Sequence, residues 1–211
     1  GGSCSAWSPT RTVDVGRAFG DFDGDGISDL AVGSEYWGVN DPGAAFVFDG
    51  SVAGIPTTPT STIQGPCFNF ALFGNDLAVA DDVNADGFAD LVVGSRRCTA
   101  GSVRAGGVFV FLGSATGLPV MPTRQIPHPV PESGAGFGFA VDGAGDVNGD
   151  GYADVVVGSF EYDNGETDEG RAFLYLGSAA GLSATAAWTA ESNQAVAKFG
   201  VSVAGAGDVN G

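Results

Sequence analysis

Apolar residues along this chain fall into short runs with a period of two, and glycine closes nearly every run. The clearest are Ala45-Phe-Val-Phe48, Val108-Phe-Val-Phe111 and Ala172-Phe-Leu-Tyr175. Side chains alternate between faces along a strand, so such runs predict strands with a different neighbour on each side. A helical reading fails, because glycine interrupts every apolar run before a 3.6-residue periodicity can develop. Shorter runs precede these: Leu30-Ala-Val-Gly33, Leu91-Val-Val-Gly94 and Val155-Val-Val-Gly158. A Gly-Ser-x-x-Gly turn follows each alternating run, at Gly50, Gly113 and Gly177.

These features recur together. Three nine-residue segments align: Asp21-Phe-Asp-Gly-Asp-Gly-Ile-Ser-Asp29, Asp82-Val-Asn-Ala-Asp-Gly-Phe-Ala-Asp90 and Asp146-Val-Asn-Gly-Asp-Gly-Tyr-Ala-Asp154, with a fourth opening at Asp208 and Asn210. Their first residues lie 61, 64 and 62 positions apart. A Phe-Gly pair stands nine residues ahead, at Phe73, Phe137 and Phe199, where the first repeat has Thr12-Val13. Each unit therefore predicts four short antiparallel strands. The first begins at Phe-Gly, as in Phe137 to Val141. The acidic loop leads to the second, a variable loop to the aromatic third, and the Gly-Ser turn to a weaker fourth near Ser61–Gln64, Arg124–Ile126 and Ala186–Trp188. Four strands per repeat of this length make a propeller blade, because stacked blades bury both faces of each sheet. The expected fold is all-β, with about three blades and part of a fourth. Blade one covers about 11–64, blade two about 65–126 and blade three about 127–190. A partial blade covers 191–211, and 1–10 form an N-terminal strand or tail.

The acidic segments carry the chemistry. Oxygen side chains at positions 1, 3, 5 and 9 of a tight loop converge on one point, and glycine at position 6 permits the turn. The candidate ligands are Asp21, Asp23, Asp25 and Asp29, then Asp82, Asn84, Asp86 and Asp90, then Asp146, Asn148, Asp150 and Asp154. Ile27, Phe88 and Tyr152 at position 7 would add backbone carbonyls. Carboxylates this close repel one another, and a hard dication relieves that. Calcium accepts six to eight oxygens, whereas magnesium demands a smaller octahedral cage, so three calcium ions are expected. A helical EF-hand would need Glu at position 12, where Val32, Val93 and Val157 stand. An Asp-Gly hairpin turn is the bland alternative, which three copies in register disfavour.

Composition narrows the function. The formal charge is −17, and eleven of the 25 acidic residues sit in the four acidic segments. Nucleic acid is an unsuitable partner for so acidic a chain. No apolar run approaches the roughly 18 residues of a membrane span. The chain begins without Met or a signal sequence and reads as a mature or trimmed product. It has no Asn-x-Ser/Thr sequon, which points toward a bacterial source. Cys4, Cys67 and Cys98 are an odd set, suggesting one disulfide and a leftover thiol. Cys67 and Cys98 are the candidate pair, on the face away from the acidic loops.

Phe-Gly, the Gly-Asp-Val-Asn-Gly-Asp-Gly-Tyr-x-Asp type of segment, and Val-Val-Gly-Ser together resemble the FG-GAP repeats of integrin α-subunit propellers and their bacterial relatives. The resemblance covers nearly the whole chain. It implies a propeller of about seven blades, with calcium in the loops between first and second strands. Three blades and a stub do not close a ring, and Arg-Gly-Asp is absent.

His128, the only histidine, is flanked by prolines and reads as a plain loop residue, which leaves no catalytic triad. Trp7 and Trp188 read as packing residues of fourth strands. The variable loops share the face away from calcium and carry the interface-prone residues Tyr36, Trp37, Arg96, Arg97, Glu161 and Tyr162. The leading expectation is a secreted or cell-surface recognition or adhesion module for a protein or carbohydrate ligand, not an enzyme and not inserted in a membrane. The propeller part of a secreted lyase or phospholipase, and a structural spacer, are the alternatives. Apolar residues such as Phe199, Val201 and Val203 on open blade flanks imply that the chain is either a piece of a longer ring or associates with copies of itself.

Overall fold

The computed structural model describes residues 20–67, 70–99, 102–130 and 132–207. Cys4, Trp7, the N-terminal strand, the first strand of blade one, Asp208 and Asn210 lie outside the described residues. Eleven strands and no helix are found among those described. The first sheet is β1 (Leu30–Ser34), β2 (Ala44–Phe48) and β3 (Ser61–Gln64). The second is β4 (Phe73–Val79), β5 (Leu91–Ser95), β6 (Gly107–Phe111) and β7 (Arg124–Pro127). The third is β8 (Phe137–Gly145), β9 (Asp154–Ser159), β10 (Arg171–Tyr175) and β11 (Trp188–Glu191). Every pairing within a sheet is antiparallel between successive strands, so each sheet is a simple meander.

Period-two alternation explains how the sheets stack as propeller-like blades. Leu91, Val93, Phe109 and Phe111 of the middle sheet join one core with Ala45, Val47 and Ile63 of the first sheet. Val92, Val108 and Val110, from the opposite face of β5 and β6, join a second core with Phe137, Val155, Phe173 and Tyr175 of the third. At both interfaces the later sheet presents its aromatic side and the earlier sheet its smaller aliphatic side. Large meets small across both interfaces, which lets the layers interdigitate. Every residue of β5 and β6 is consequently buried.

Two details differ from the sequence expectation. The first strand of the third sheet runs on to Gly145, with irregular register after Phe137 and after Gly143. The fourth strand there is Trp188–Glu191, two residues later than expected, and Trp188 is 51% exposed. Trp188 is on the fourth strand but is not a packing residue. Its partner Leu174 is on the outward, half-buried side of β10. Beyond β11, Phe199 forms an isolated parallel bridge with Gly170, matching Gly43–Phe73 and Gly106–Phe137 in the earlier repeats. These bridges join the residue just before β2, β6 and β10 to the Phe-Gly of the following repeat.

Candidate metal centre and opposite loop face

The acidic loops lead into β1, β5 and β9, the second and third of them from β4 and β8, and each loop's backbone folds onto its own carboxylates. At position 1, the second carboxylate oxygen accepts the position-6 glycine N–H in all three loops: Gly26 to Asp21, Gly87 to Asp82 and Gly151 to Asp146, at 2.8–2.9 Å. At position 5, Asp25, Asp86 and Asp150 accept the N–H of Ile27, Phe88 and Tyr152. Left-handed glycines make the turn possible: Gly26, Gly87 and Gly151 have φ of 87°, 108° and 91°.

Position 9 has a separate job that sequence spacing did not reveal. Asp29 accepts from Phe22 and Gly50, Asp90 from Val83 and Gly113, and Asp154 from Val147 and Gly177. One oxygen holds the start of the acidic loop and the other holds the Gly-Ser turn more than twenty residues away. Position 9 therefore ties two loops at one end of the sheet. The separation from the final Asp to the Gly-Ser pair is 21 residues in the first repeat and 23 in the other two, so spacing gave no fixed signal for this tie.

The loops also tie neighbouring sheets together. The Asp21 carbonyl accepts Ala89 N–H and the Phe22 carbonyl accepts Ser114 N–H. The next pair repeats this, Asp82 with Ala153 and Val83 with Ser178. Phe22 and Val83, at position 2, fill the two cores between sheets.

Carboxylate oxygens of Asp21, Asp23 and Asp29 lie within 4.8 Å of one another, a set fit for a metal ion. In the second and third loops the position-3 residue is Asn, and its amide donates to the position-5 carboxylate at 2.8 Å. Burial, followed among the raising influences by neighbouring aspartates, pushes Asp23, Asp29 and Asp154 upward and brings Asp90 to about 7. Asp146 goes the other way, held low by backbone N–H bonds led by that of Gly151. Side-chain oxygens gathered in this way fit a hard dication such as calcium.

At the opposite end of the sheets, the loops between second and third strands share an anchor. Trp37, Cys98 and Tyr162 each stand three residues after the closing serine of the second strand, and each donates its N–H back to that serine carbonyl. Each also accepts from the glycine just before β2, β6 or β10: Gly43, Gly106 or Gly170. The side chain at this position is directed onto the sheet. Trp37 packs edge-on to Phe46, Cys98 is bonded to Cys67, and Tyr162 stacks against His128 and Phe173. Two sequence readings are corrected here. Tyr162 is no exposed contact residue, being 4% exposed with its hydroxyl accepting from Arg171. His128 is no plain loop residue, being 3% exposed among Phe137, Tyr162 and Phe173. Its Nδ1 accepts the Val130 N–H, and burial lowers its pKa to about 4. His128 links the second sheet to the third as the Cys67–Cys98 disulfide links the first to the second.

The remaining predicted contact residues stay near the surface. Tyr36 and Trp37 are 63% and 40% exposed, and Arg97 is exposed. Arg96 pairs with Glu35 at 3.1 Å and lies over Phe139, while Glu161 pairs with Lys198 at 3.5 Å.

A family model described as an FG-GAP-like repeat matches residues 82–157, and a second, the FG-GAP repeat, matches 18–48. This is a chain of the FG-GAP repeat family. Among known FG-GAP-containing proteins it is similar to mouse integrin alpha-IIb, 33% identical over 150 residues, covering 66% of this chain and 14% of that protein. Integrin alpha-PS5 of Drosophila melanogaster is 33% identical over 146 residues, with the same coverage. Integrin alpha pat-2 of Caenorhabditis briggsae is 40% identical over 94 residues, 44% of this chain and 8% of that protein. The FG-GAP chain thus spans about one seventh of the length of the first two relatives.

Proposed function

We propose that this FG-GAP chain is a calcium-stapled, extracellular β-propeller module that recognises a protein ligand in adhesion, and that it performs no catalysis. The observation that carries the reading is the division of every sheet into two ends. One end bears the repeated oxygen-rich loop, with the Asp21, Asp23 and Asp29 carboxylates gathered. The other bears loops that differ in each repeat but hang on the same backbone anchor. Rigid scaffolding at one end with variable loops at the other is how recognition modules are built. Similarity to integrin α subunits supports the adhesive, cell-surface reading. The burial of His128 supports a non-catalytic one.

In this reading each complete acidic loop takes one calcium ion, held by the side chains at positions 1, 3, 5 and 9 and the position-7 carbonyl. Three ions would bring the formal charge from −17 to about −11. Titration calorimetry of the stripped chain should give three ions bound. Absence of any calcium heat at millimolar concentration sinks the metal assignment. An array of extracellular proteins and glycans, probed with the calcium-loaded chain, tests recognition. Retention on a protein that is lost in chelator is the expected result, and retention on glycans alone contradicts the protein-ligand reading.

A further inference from the structure

The chain has eight Lys and Arg residues against 25 Asp and Glu, and its few cations are not scattered. Arg96, Arg97 and Arg104, all from the segment linking β5 to β6, line a cleft of about 420 Å³ between the second and third sheets. Phe160 and Glu161, just after β9, form its other wall. Lys198 reaches that wall from a third segment, over the Phe160 ring at 5.2 Å and beside Glu161 at 3.5 Å. Half of the protein's cations thus stand around one cleft, at the end of the sheets away from the acidic loops.

The framework of the cleft is fixed at Arg96 and at the Arg97 backbone. Arg96 is fixed between the Glu35 carboxylate and the Phe139 ring, and Phe139 itself stacks on Phe160 at 4.2 Å. The Arg97 backbone is tied to the Ala71 carbonyl while its side chain is exposed. A guanidinium's planar fork matches the two oxygens of a carboxylate. Glu35 and Glu161 already offset Arg96 and Lys198, and Arg97 presents its exposed side chain to the cleft, so the positive charge open to a ligand is small. A dense polyanion would meet Glu161 in the cleft and the net negative charge around it. Charges beyond about 8 Å are screened at physiological salt, so a sparsely charged ligand feels mainly the arginines. The Phe160 ring offers an apolar contact beside them.

We propose that this cleft binds a carboxylate-bearing segment of a protein partner: one or two Asp or Glu side chains on an otherwise neutral, extended peptide. The assignment rests on the reading of these loops as the recognition face and names the ligand chemistry that face selects. It is tested by fluorescence anisotropy with labelled Gly/Ser nonapeptides carrying a central Glu-Phe-Glu, Gln-Phe-Gln or Lys-Phe-Lys, in millimolar calcium and about 0.15 M salt. The Glu peptide should bind at least about tenfold more tightly than the Gln peptide, the scale of one charge-assisted contact. Arg97→Gln should abolish that preference, and Arg124→Gln, on β7, should leave it intact. A calcium-dependent melt confirms that each variant folds. Equal binding of the Glu and Gln peptides, failure of all three to bind, or indifference to Arg97→Gln overturns the proposal. Preference for the Lys peptide overturns it while leaving the recognition reading standing. A sulfated hexasaccharide that outcompetes the Glu peptide and depends on Arg97 overturns it in favour of a polyanion.

Discussion

Asp90 and Asp150 occupy the same kind of loop and do different work. Asp90 is fully buried, and its two oxygens serve the N–H groups of Val83 and Gly113. Asp150 is exposed on the loop rim, bonded only within its own loop. Asp90→Asn turns an amide toward one of two buried donors, so it should cost roughly 1–3 kcal/mol in urea unfolding, in chelator as well as in calcium. Asp150→Asn should leave stability in chelator unchanged within about 0.5 kcal/mol and weaken one calcium site. Equal losses for both variants in chelator would contradict this division of labour. His128 gives the pH counterpart. Its folded pKa of about 4 lies below the ordinary 6.5, so the unfolded chain binds the extra proton first. The stability of neutral, buried His128 is therefore fully present above pH 6.5 and is lost as pH falls toward 4, by up to about 3 kcal/mol. Comparing wild type with His128→Phe across that window should show a gap that changes in this direction. A constant gap would mean that His128 titrates normally. None of this burial was legible in the sequence. The prolines around His128 predict a loop correctly, but a loop residue can still be packed against the next repeat when the chain crosses between sheets there.

At the scale of elements, the strands were legible because alternation and glycine punctuation are local signals. The fourth strand of the third sheet was displaced because Ala186-Ala-Trp188 is weakly alternating, and the pairing with β10 set its bounds instead. What local signals did not show is how closely the sheets approach. A Cβ placed on Gly33, Gly94 or Gly158 would overlap the carbonyl oxygen of Gly74, Gly138 or Gly200 in the following repeat. The penultimate glycine of β1, β5 and β9 thus sits against the glycine of the next Phe-Gly pair, backbone against backbone. Asn75 reinforces one such contact by donating to the Gly138 and Phe139 carbonyls. Backbone cannot rotate away as a side chain can, so Gly94→Ala must push the second and third sheets apart. It should cost about 1–3 kcal/mol or more, and Gly33→Ala should behave alike between the first and second. Urea unfolding measures both. A loss within about 0.5 kcal/mol for either would show that the interface yields, against this account.

At the scale of the molecule, repeat length and loop chemistry pointed to stacked four-stranded sheets. Which apolar residues the stack leaves uncovered required the structure. Leu30 and Val32 on β1 and Val201 beyond the last bridge are 46%, 43% and 50% exposed. Apolar residues on sheet edges and flanks invite association. The net charge of −17 opposes it, because two copies of so acidic a chain repel. The two effects respond differently to solution conditions. Salt screens the repulsion and leaves apolar burial intact, and calcium would remove about a third of the charge. Self-association should therefore strengthen with calcium and with salt. In sedimentation at micromolar concentration, the average mass should rise above that of the monomer in calcium and about 0.15 M salt, and fall back toward it in chelator at low salt. Val32→Glu, which places a charge in the β1 patch, should shift the population toward monomer without changing the number of calcium ions bound. A chain that stays strictly monomeric under every one of these conditions, with a melting temperature independent of its concentration, would show that repulsion prevails over the exposed patches.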